Sequence, residues 1–286
     1  MREDLREKRK KMRKHRQEMM AKRDSRRMST RKKRIENIFQ RRNRKNKGNK
    51  LVSMEFCTTA TCRHRILDRT YASFTQNIFG VNFRESTLYL NIDPVPDDDP
   101  QKTVNVAKRY FKNVVVNIPN ECNFSKAVQW GFSQPKKKHF FYLQDDWVLS
   151  GRVKIKSIID MLGKCVYIER PLRSGVKKRC RIVVVNLRAY SIIRDYRICF
   201  SPGLFLTKWA KYFSKKMDID YNPEKQLRPK HKNNPGGGII SGLFVGLHVP
   251  QKKEIVSDIG RDWMIKNNIY RNDEKIKFNK WVMGDD

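Results

Sequence analysis

The chain has 286 residues, 38% of them hydrophobic and 33% charged, with 64 Lys+Arg against 29 Asp+Glu and a formal net charge of +35. That length allows one large domain or two small ones, and the apolar share lies below the usual globular value. The six cysteines form no C-x-x-C pair, which excludes a zinc ribbon and a disulfide framework and reads as reduced, intracellular protein.

No charged-then-apolar signal peptide opens the chain, and the longest apolar stretch, 236–249, is too short and glycine-rich to span a bilayer. The expectation is a soluble intracellular protein with no membrane span. The charge is uneven. Residues 1–50 hold 23 Lys+Arg against 6 Asp+Glu, a net of +17, and the other 236 residues a net of +18. A field of this sign attracts polyanions, nucleic acid first and an anionic membrane surface second.

In chain order, residues 1–47 contain no Gly or Pro and are rich in helix formers. Leu5, Met12 and Met19 recur every seven residues, but the pattern lapses at Arg26, so a coiled coil is not expected. Like charges repel along such a segment, and a basic arm, helical or disordered until a polyanion binds, is expected over 1–50. Asn46, Gly48 and Asn49 read as a linker.

The body then alternates. Strands are expected at 51–57, 87–92, 114–118 and 139–143. Helices are expected at 63–79, at 101–111 with Pro100 near its start, and at 125–132 capped by Asn123 or Ser125. This β-α-β order predicts an α/β fold, a mostly parallel sheet covered by helices on both faces, with ligands at the carboxyl ends of its strands.

The sharpest local signal is Phe140-Phe141-Tyr142-Leu143-Gln144-Asp145-Asp146-Trp147. A buried-type strand ends on two adjacent carboxylates, which repel unless a cation sits between or beside them. Hard oxygen ligands suit Mg²⁺ or Mn²⁺, which in turn hold a diphosphate. The competing reading is a loop whose acids only cap the next element. No H-E-x-x-H, G-x-S-x-G, G-x-G-x-x-G or P-loop element is present, and the 236–238 glycine run reads as a loop.

With Asn123-Phe124-Ser125-Lys126-Ala127-Val128 before that strand, the stretch resembles GT-A glycosyltransferases, Rossmann-like enzymes of the family-two kind, including those of large viruses and phages that glycosylate modified DNA bases. The resemblance covers about residues 51–270 and implies a GT-A domain over 51–272, with 273–286 as a tail. Gln144-Asp145-Asp146 stands where that family carries D-x-D, so Asp145 and Asp146 are the implied metal and ribose ligands, with Asp146 also counted as catalytic. Thr58, Thr59 and Arg63, taken to follow the first strand, and Asp93, ending the strand at 87–92, are the implied contacts to the donor nucleotide. Phe200-Ser201-Pro202-Gly203-Leu204-Phe205 resembles the acceptor-side loop. Glu224, in Asn222-Pro223-Glu224-Lys225-Gln226-Leu227-Arg228, resembles the catalytic base; its alternative is a first-turn helix acid.

His248 is the implied late metal ligand. Arg261, in Ser257-Asp258-Ile259-Gly260-Arg261-Asp262-Trp263, is implied to bind a donor phosphate, unless it pairs with Asp258 or Asp262. The implied reaction is metal-dependent, inverting transfer from a nucleotide sugar, a UDP-sugar first, to a hydroxyl. A hydroxymethylated base in DNA fits the charge as acceptor, held through the basic arm and a basic face, in the host cytoplasm or nucleus for a viral enzyme. Rival expectations are a glycosyltransferase acting on protein or glycan and a non-catalytic nucleic-acid-binding protein on the same scaffold.

Overall fold

The computed structural model describes residues 51–95, 98–169, 177–188, 198–227, 244–248, 255–266, 269–272 and 280–283, together with Met19 and Asn37. The chain divides into two units, Met1–Gly48 and Asn49–Asp286, and every element named below belongs to the second. Among the described residues no helix is long and apolar enough to cross a membrane.

The first half runs β1 (Glu55–Thr61), α1 (His64–Asn77), β2 (Ile78–Phe79), β3 (Thr87–Asp93), α2 (Pro100–Tyr110), β4 (Asn113–Asn117), α3 (Phe124–Ser133) and β5 (His139–Gln144). Short pieces follow: β6 (Trp147–Leu149), β7 (Val153–Lys154) and α4 (Ile155–Met161). Then come β8 (Cys165–Glu169), β9 (Lys177–Asn186), β10 (Gly203–Leu206), α5 (Thr207–Lys216) and α6 (Pro223–Gln226). The chain ends with β11 (Phe244–His248), β12 (Val256–Asp258), α7 (Gly260–Lys266), β13 (Ile269–Asn272) and β14 (Lys280–Met283).

The fold is mixed α/β around one eight-stranded sheet, ordered β11-β9-β10-β5-β1-β3-β4, with β8 pairing antiparallel to the first half of β9. β1 pairs in parallel with both β3 and β5, and β3 with β4. β10 joins antiparallel to β5 and to β9, and β11 lies parallel to β9. The crossovers therefore lead from β1 outward to β3 and β4, then back across β1 to β5. That reversal makes the carboxyl ends of β1 and β5 a topological switch point, the place where open sheets of this kind take ligands.

Alternation along the strands sorts the core into two layers. Phe56 and its register partner Phe141 face α1 and α2, where Phe56 meets Phe83 and Phe111, and Phe141 meets Phe74. Cys57 and its partner Tyr142 face the other way, toward α3 and α5. There Phe132 is the hub, with ring centroids 5.3–5.5 Å from Phe140, Tyr142, Phe200 and Phe205. α2 and α3 are capped as their sequences require: Asp99 accepts from Gln101 N, and Asn123 from Lys126 N.

Three expectations change. The first strand, β1, shares 55–57 with the expected 51–57 but runs on to Thr61; of residues 51–54 only Val52 pairs, in an isolated bridge to Val81. The threonine-rich run Thr58-Thr59-Ala60-Thr61 continues the strand because β1 is central and buried along its whole length. The helix expected to reach 79 stops at Asn77, where Ile78 turns extended and pairs with Val153. Residues 273–286, expected as a separate tail, contribute β14, which pairs antiparallel with β13 across the expected boundary at 272.

Candidate functional site

The carboxyl ends of β1 and β5 meet at a buried charge cluster. Arg63 is the residue that turns β1 into α1, and its side chain folds back over the end of β5 rather than outward. Its Nε donates to Asp145 Oδ2 at 3.1 Å, and its Nη2 donates to Asp145 Oδ1 and, at 3.1 Å, to Asp146 Oδ2. Asp145 Oδ2 also accepts from Thr61 N at 3.0 Å and from Thr61 Oγ1 at 3.4 Å. Its backbone is fixed as well: Asp145 N donates to Thr59 O, and Thr70 Oγ1 donates to Asp145 O. Arg63 is 4% exposed, Asp145 2% and Asp146 7%. Burial works against the guanidinium charge, but Asp145 and Asp146 outweigh it and hold its pKa above the ordinary value.

A third strand of the chain closes this cluster. Ile259 N donates to Asp146 O at 2.7 Å, and β12 pairs antiparallel with β6, setting Asp258 opposite Trp147. The Trp263 ring lies 5.4 Å from the Arg63 guanidinium carbon, a cation–π contact. Gly260 sits directly on the pair: a Cβ there would lie 2.8 Å from Arg63 Nη1 and from Asp146 Cβ. Only glycine fits. Sequence reading passed over Gly260, Ile259 and Trp263; nothing in 257–263 marks which residues touch a strand more than a hundred positions earlier.

Asp93 ends β3 in register with Thr61 and is 5% exposed. Asn91 Nδ2 donates to its Oδ1 at 2.8 Å, Asn117 Nδ2 donates to Asn91 Oδ1, and Cys122 Sγ donates to Asp93 Oδ2 at 3.4 Å. Burial pushes the Asp93 carboxyl up to about 6, and the Asp145 charge adds to the rise against these hydrogen bonds.

Other expected residues fall differently. Thr58 and Thr59 do not follow the first strand; they lie inside β1, at 2% and 8% exposure, and Thr59 Oγ1 hydrogen-bonds the Tyr142 hydroxyl at 2.8 Å. The connection after β1 begins at Cys62, so Arg63 alone of the three belongs to it. Phe200-Ser201-Pro202 lies at the carboxyl edge of β5, but Gly203 onward is strand β10 rather than loop. Glu224, in the first turn of α6 behind its cap Asn222, accepts from Phe200 N at 3.0 Å. Among the described residues its Oε2 receives no hydrogen bond. Arg261 is exposed and, among the described residues, makes no ion pair; Asp258 Oδ1 accepts from Gly260 N instead. His248 belongs to β11, three strands from β5 and so about 14 Å away at the usual strand spacing. Its side chain lies outside the described residues.

Among the described residues no group of three or more His, Cys, Asp or Glu converges to hold a metal ion. The donor set fits a divalent cation only in a shared manner. Asp145 has both oxygens engaged by Arg63 and Thr61, whereas Asp146 keeps 11% of its side chain exposed. Mg²⁺ commonly takes one or two carboxylates and completes its shell with substrate phosphates and water. The class defined by these observations is a mixed α/β protein with a buried Arg63–Asp145–Asp146 cluster at a topological switch point.

No protein-family model matches the chain, and no curated protein does. Solved structures of similar backbone course include HddC from Yersinia pseudotuberculosis, at 12% identity over 74% of this chain and 97% of that one, TM-score 0.43. They also include the mannosyltransferase PcManGT from Pyrobaculum calidifontis in complex with GDP-Man and Mn²⁺ (7%, 75% and 61%, TM-score 0.42) and S. aureus TarS 1–349 (9%, 74% and 63%, TM-score 0.43). The chain spans less than two thirds of the length of the latter two.

Proposed function

We propose that this chain is a nucleotide-sugar-dependent glycosyltransferase of the GT-A kind, transferring a sugar to a hydroxyl of a polyanionic acceptor, with a hydroxymethylated base in DNA as the acceptor class. The observation that carries the reading is the Arg63–Asp145–Asp146 cluster at the switch point between β1 and β5, with Asp93 at the neighbouring strand end. The resemblance of Gln144-Asp145-Asp146 to D-x-D supports it.

Each residue then has a task. Asp93, when ionised, accepts hydrogen bonds from the donor ribose or base. Arg63 neutralises Asp145 and positions Asp146, so its task is internal rather than direct contact with donor. Arg261, exposed beside Gly260, takes a donor phosphate through its planar fork. Asp146 would hold a divalent cation on the protein side, and that cation would supply charge neutralisation for the diphosphate. Glu224 is pinned through Oε1 by Phe200 N and accepts the acceptor's hydroxyl proton on Oε2. As the acceptor oxygen bonds to the sugar's anomeric carbon, the bond to the diphosphate breaks and the nucleoside diphosphate leaves. A base within duplex has to be flipped out to reach the site.

The test is incubation with Mn²⁺, a panel of UDP- and GDP-sugars, and hydroxymethylated DNA, followed by mass analysis of the released nucleosides. A nucleoside heavier by one sugar, absent with Asp146→Asn, is the expected result; transfer to protein or glycan instead would replace the acceptor. The observation that Arg63 already supplies a cation to the paired acids favours one second reading, a non-catalytic nucleic-acid-binding protein. It predicts no donor turnover with any sugar and DNA binding untouched by Asp146→Asn.

A further inference from the structure

α5 is amphipathic in a simple way. Trp209, Ala210, Phe213 and Ser214 are buried against α3 and the sheet, whereas Lys208, Lys211, Tyr212 and Lys215 follow one another at the i, i+3, i+4, i+7 spacing of a single outward stripe. Lys208 and Lys215 are exposed, Lys211 is half-buried, and Tyr212 is 49% exposed. No acidic residue lies between Thr207 and Lys216.

The stripe does not begin at Lys208. Thr207 N donates to Lys138 O at 3.1 Å, so the start of α5 abuts the loop carrying Lys136, Lys137 and Lys138, all exposed. Lys137 Nζ reaches Ser53, and Glu55 Oε2 accepts from Lys136 N and Lys137 N, so the loop is tethered with one buried carboxylate beneath its three lysines. His139, next in sequence, registers the local field: burial first, then Lys138 and Lys137, lower its pKa.

The helix also has a direction. Leu206 lies opposite His139, at the amino end of β5. From there α5 runs back along α3, with Gln129 Nε2 donating to Ser214 O. The chain beyond it is held at the α3 start by Asn123 Nδ2 donating to Ile219 O and Ser125 Oγ to Tyr221 O. It then enters α6, where Glu224 binds Phe200 N at the carboxyl edge of β5. Ten helical residues rise about 15 Å, enough for about four phosphates at the ~3.4 Å spacing of a stacked strand.

We infer that the α5 stripe, continued by the lysines at 136–138, is a track for single-stranded nucleic acid, with the lysines on phosphates and Tyr212 stacking a base. A solvated lysine face has no need of an exposed aromatic ring at its centre. That ring favours nucleic acid over a sulfated glycan or lipid headgroups, because every base offers a π-face. The inference deepens the nucleic-acid reading above by assigning a surface, and donor turnover measured alongside keeps the two separable.

The experiment uses the full-length chain and a fluorescent single-stranded oligonucleotide carrying bromodeoxyuridine, titrated across salt, then photo-crosslinked and mapped by peptide mass. The expected crosslink is at Tyr212. Tyr212→Ala should weaken binding about tenfold while Tyr212→Phe keeps it. Lys208, Lys211 and Lys215 changed together to Gln should make the log–log salt slope about 2 units less steep. All four side chains point outward, and circular dichroism checks that each variant is folded. Crosslinks confined to residues 1–50 with an unchanged slope would overturn the track. So would loss of binding to anionic lipid vesicles in these variants while oligonucleotide binding persists.

Discussion

Arg63 and Asp145 are 82 residues apart in the chain, yet they form the most enclosed ion pair among the described residues. Removing one partner of a buried pair leaves the other charge stranded, which typically costs about 3–5 kcal/mol. Arg63→Met should therefore lower unfolding free energy by that order in urea denaturation, and a loss under about 1 kcal/mol would mean that the aspartates find their neutralisation elsewhere. Asp93 presents the opposite case, an acid with no cation paired to it among the described residues. Its pKa stands at about 6 against the ordinary 3.8, so between these values the folded state keeps a proton that the unfolded chain has released. Its contribution is thus present at low pH and lost as pH rises from about 4 to 6, by about 3 kcal/mol at 1.36 kcal/mol per unit. Asp93→Asn should flatten that decline in a pH series of denaturation curves. Sequence could place Asp145 and Asp146 at a strand end and weigh a cation beside them against a plain capping role. It could not say that the cation is Arg63, because nothing local distinguishes an arginine aimed at a ligand from one folded back on its own sheet.

At the level of elements, the β-α-β half was legible because each strand there is a short apolar run and each helix keeps its 3.6-residue stripe. β9 was not. Its first five residues, Lys177-Lys178-Arg179-Cys180-Arg181, carry no strand-like alternation of apolar side chains, and only the Ile182–Val185 run betrays it. Its pairing with β10 depends on one small residue: a Cβ on Gly203 would stand 2.7 Å from Val185 O, a main-chain atom with no room to yield. Gly203→Ala should push β9 and β10 apart and cost about 1–3 kcal/mol. Faster amide exchange in β10 than in β3 would be the local signature. Phe132 joins the same region to α3 and α5, with rings on five sides including Phe213 at 6.4 Å. Phe132→Ala should cost about 3–5 kcal/mol, and a smaller effect would mean that the aromatic cluster repacks.

Over the whole molecule, the charge belongs to both units. Residues 1–48 carry a net +16 and residues 49–286 a net +19. If the first unit were the sole polyanion-binding element, deleting residues 1–48 would abolish salt-dependent binding to nucleic acid. If the body shares the task through α5 and the lysines before β5, the shortened chain must still bind, with a slope less steep than that of the full chain but clearly different from zero. Its unfolding midpoint should match that of the full chain, because among the described residues the buried aromatic contacts and the Arg63 cluster lie within the second unit. Fluorescence anisotropy of an oligonucleotide at several salt concentrations, paired with thermal melts of both chains, decides the matter. A folded short chain whose binding ignores salt would return all recognition to the arm and leave the outward lysines of α5 as mere solubilising charge.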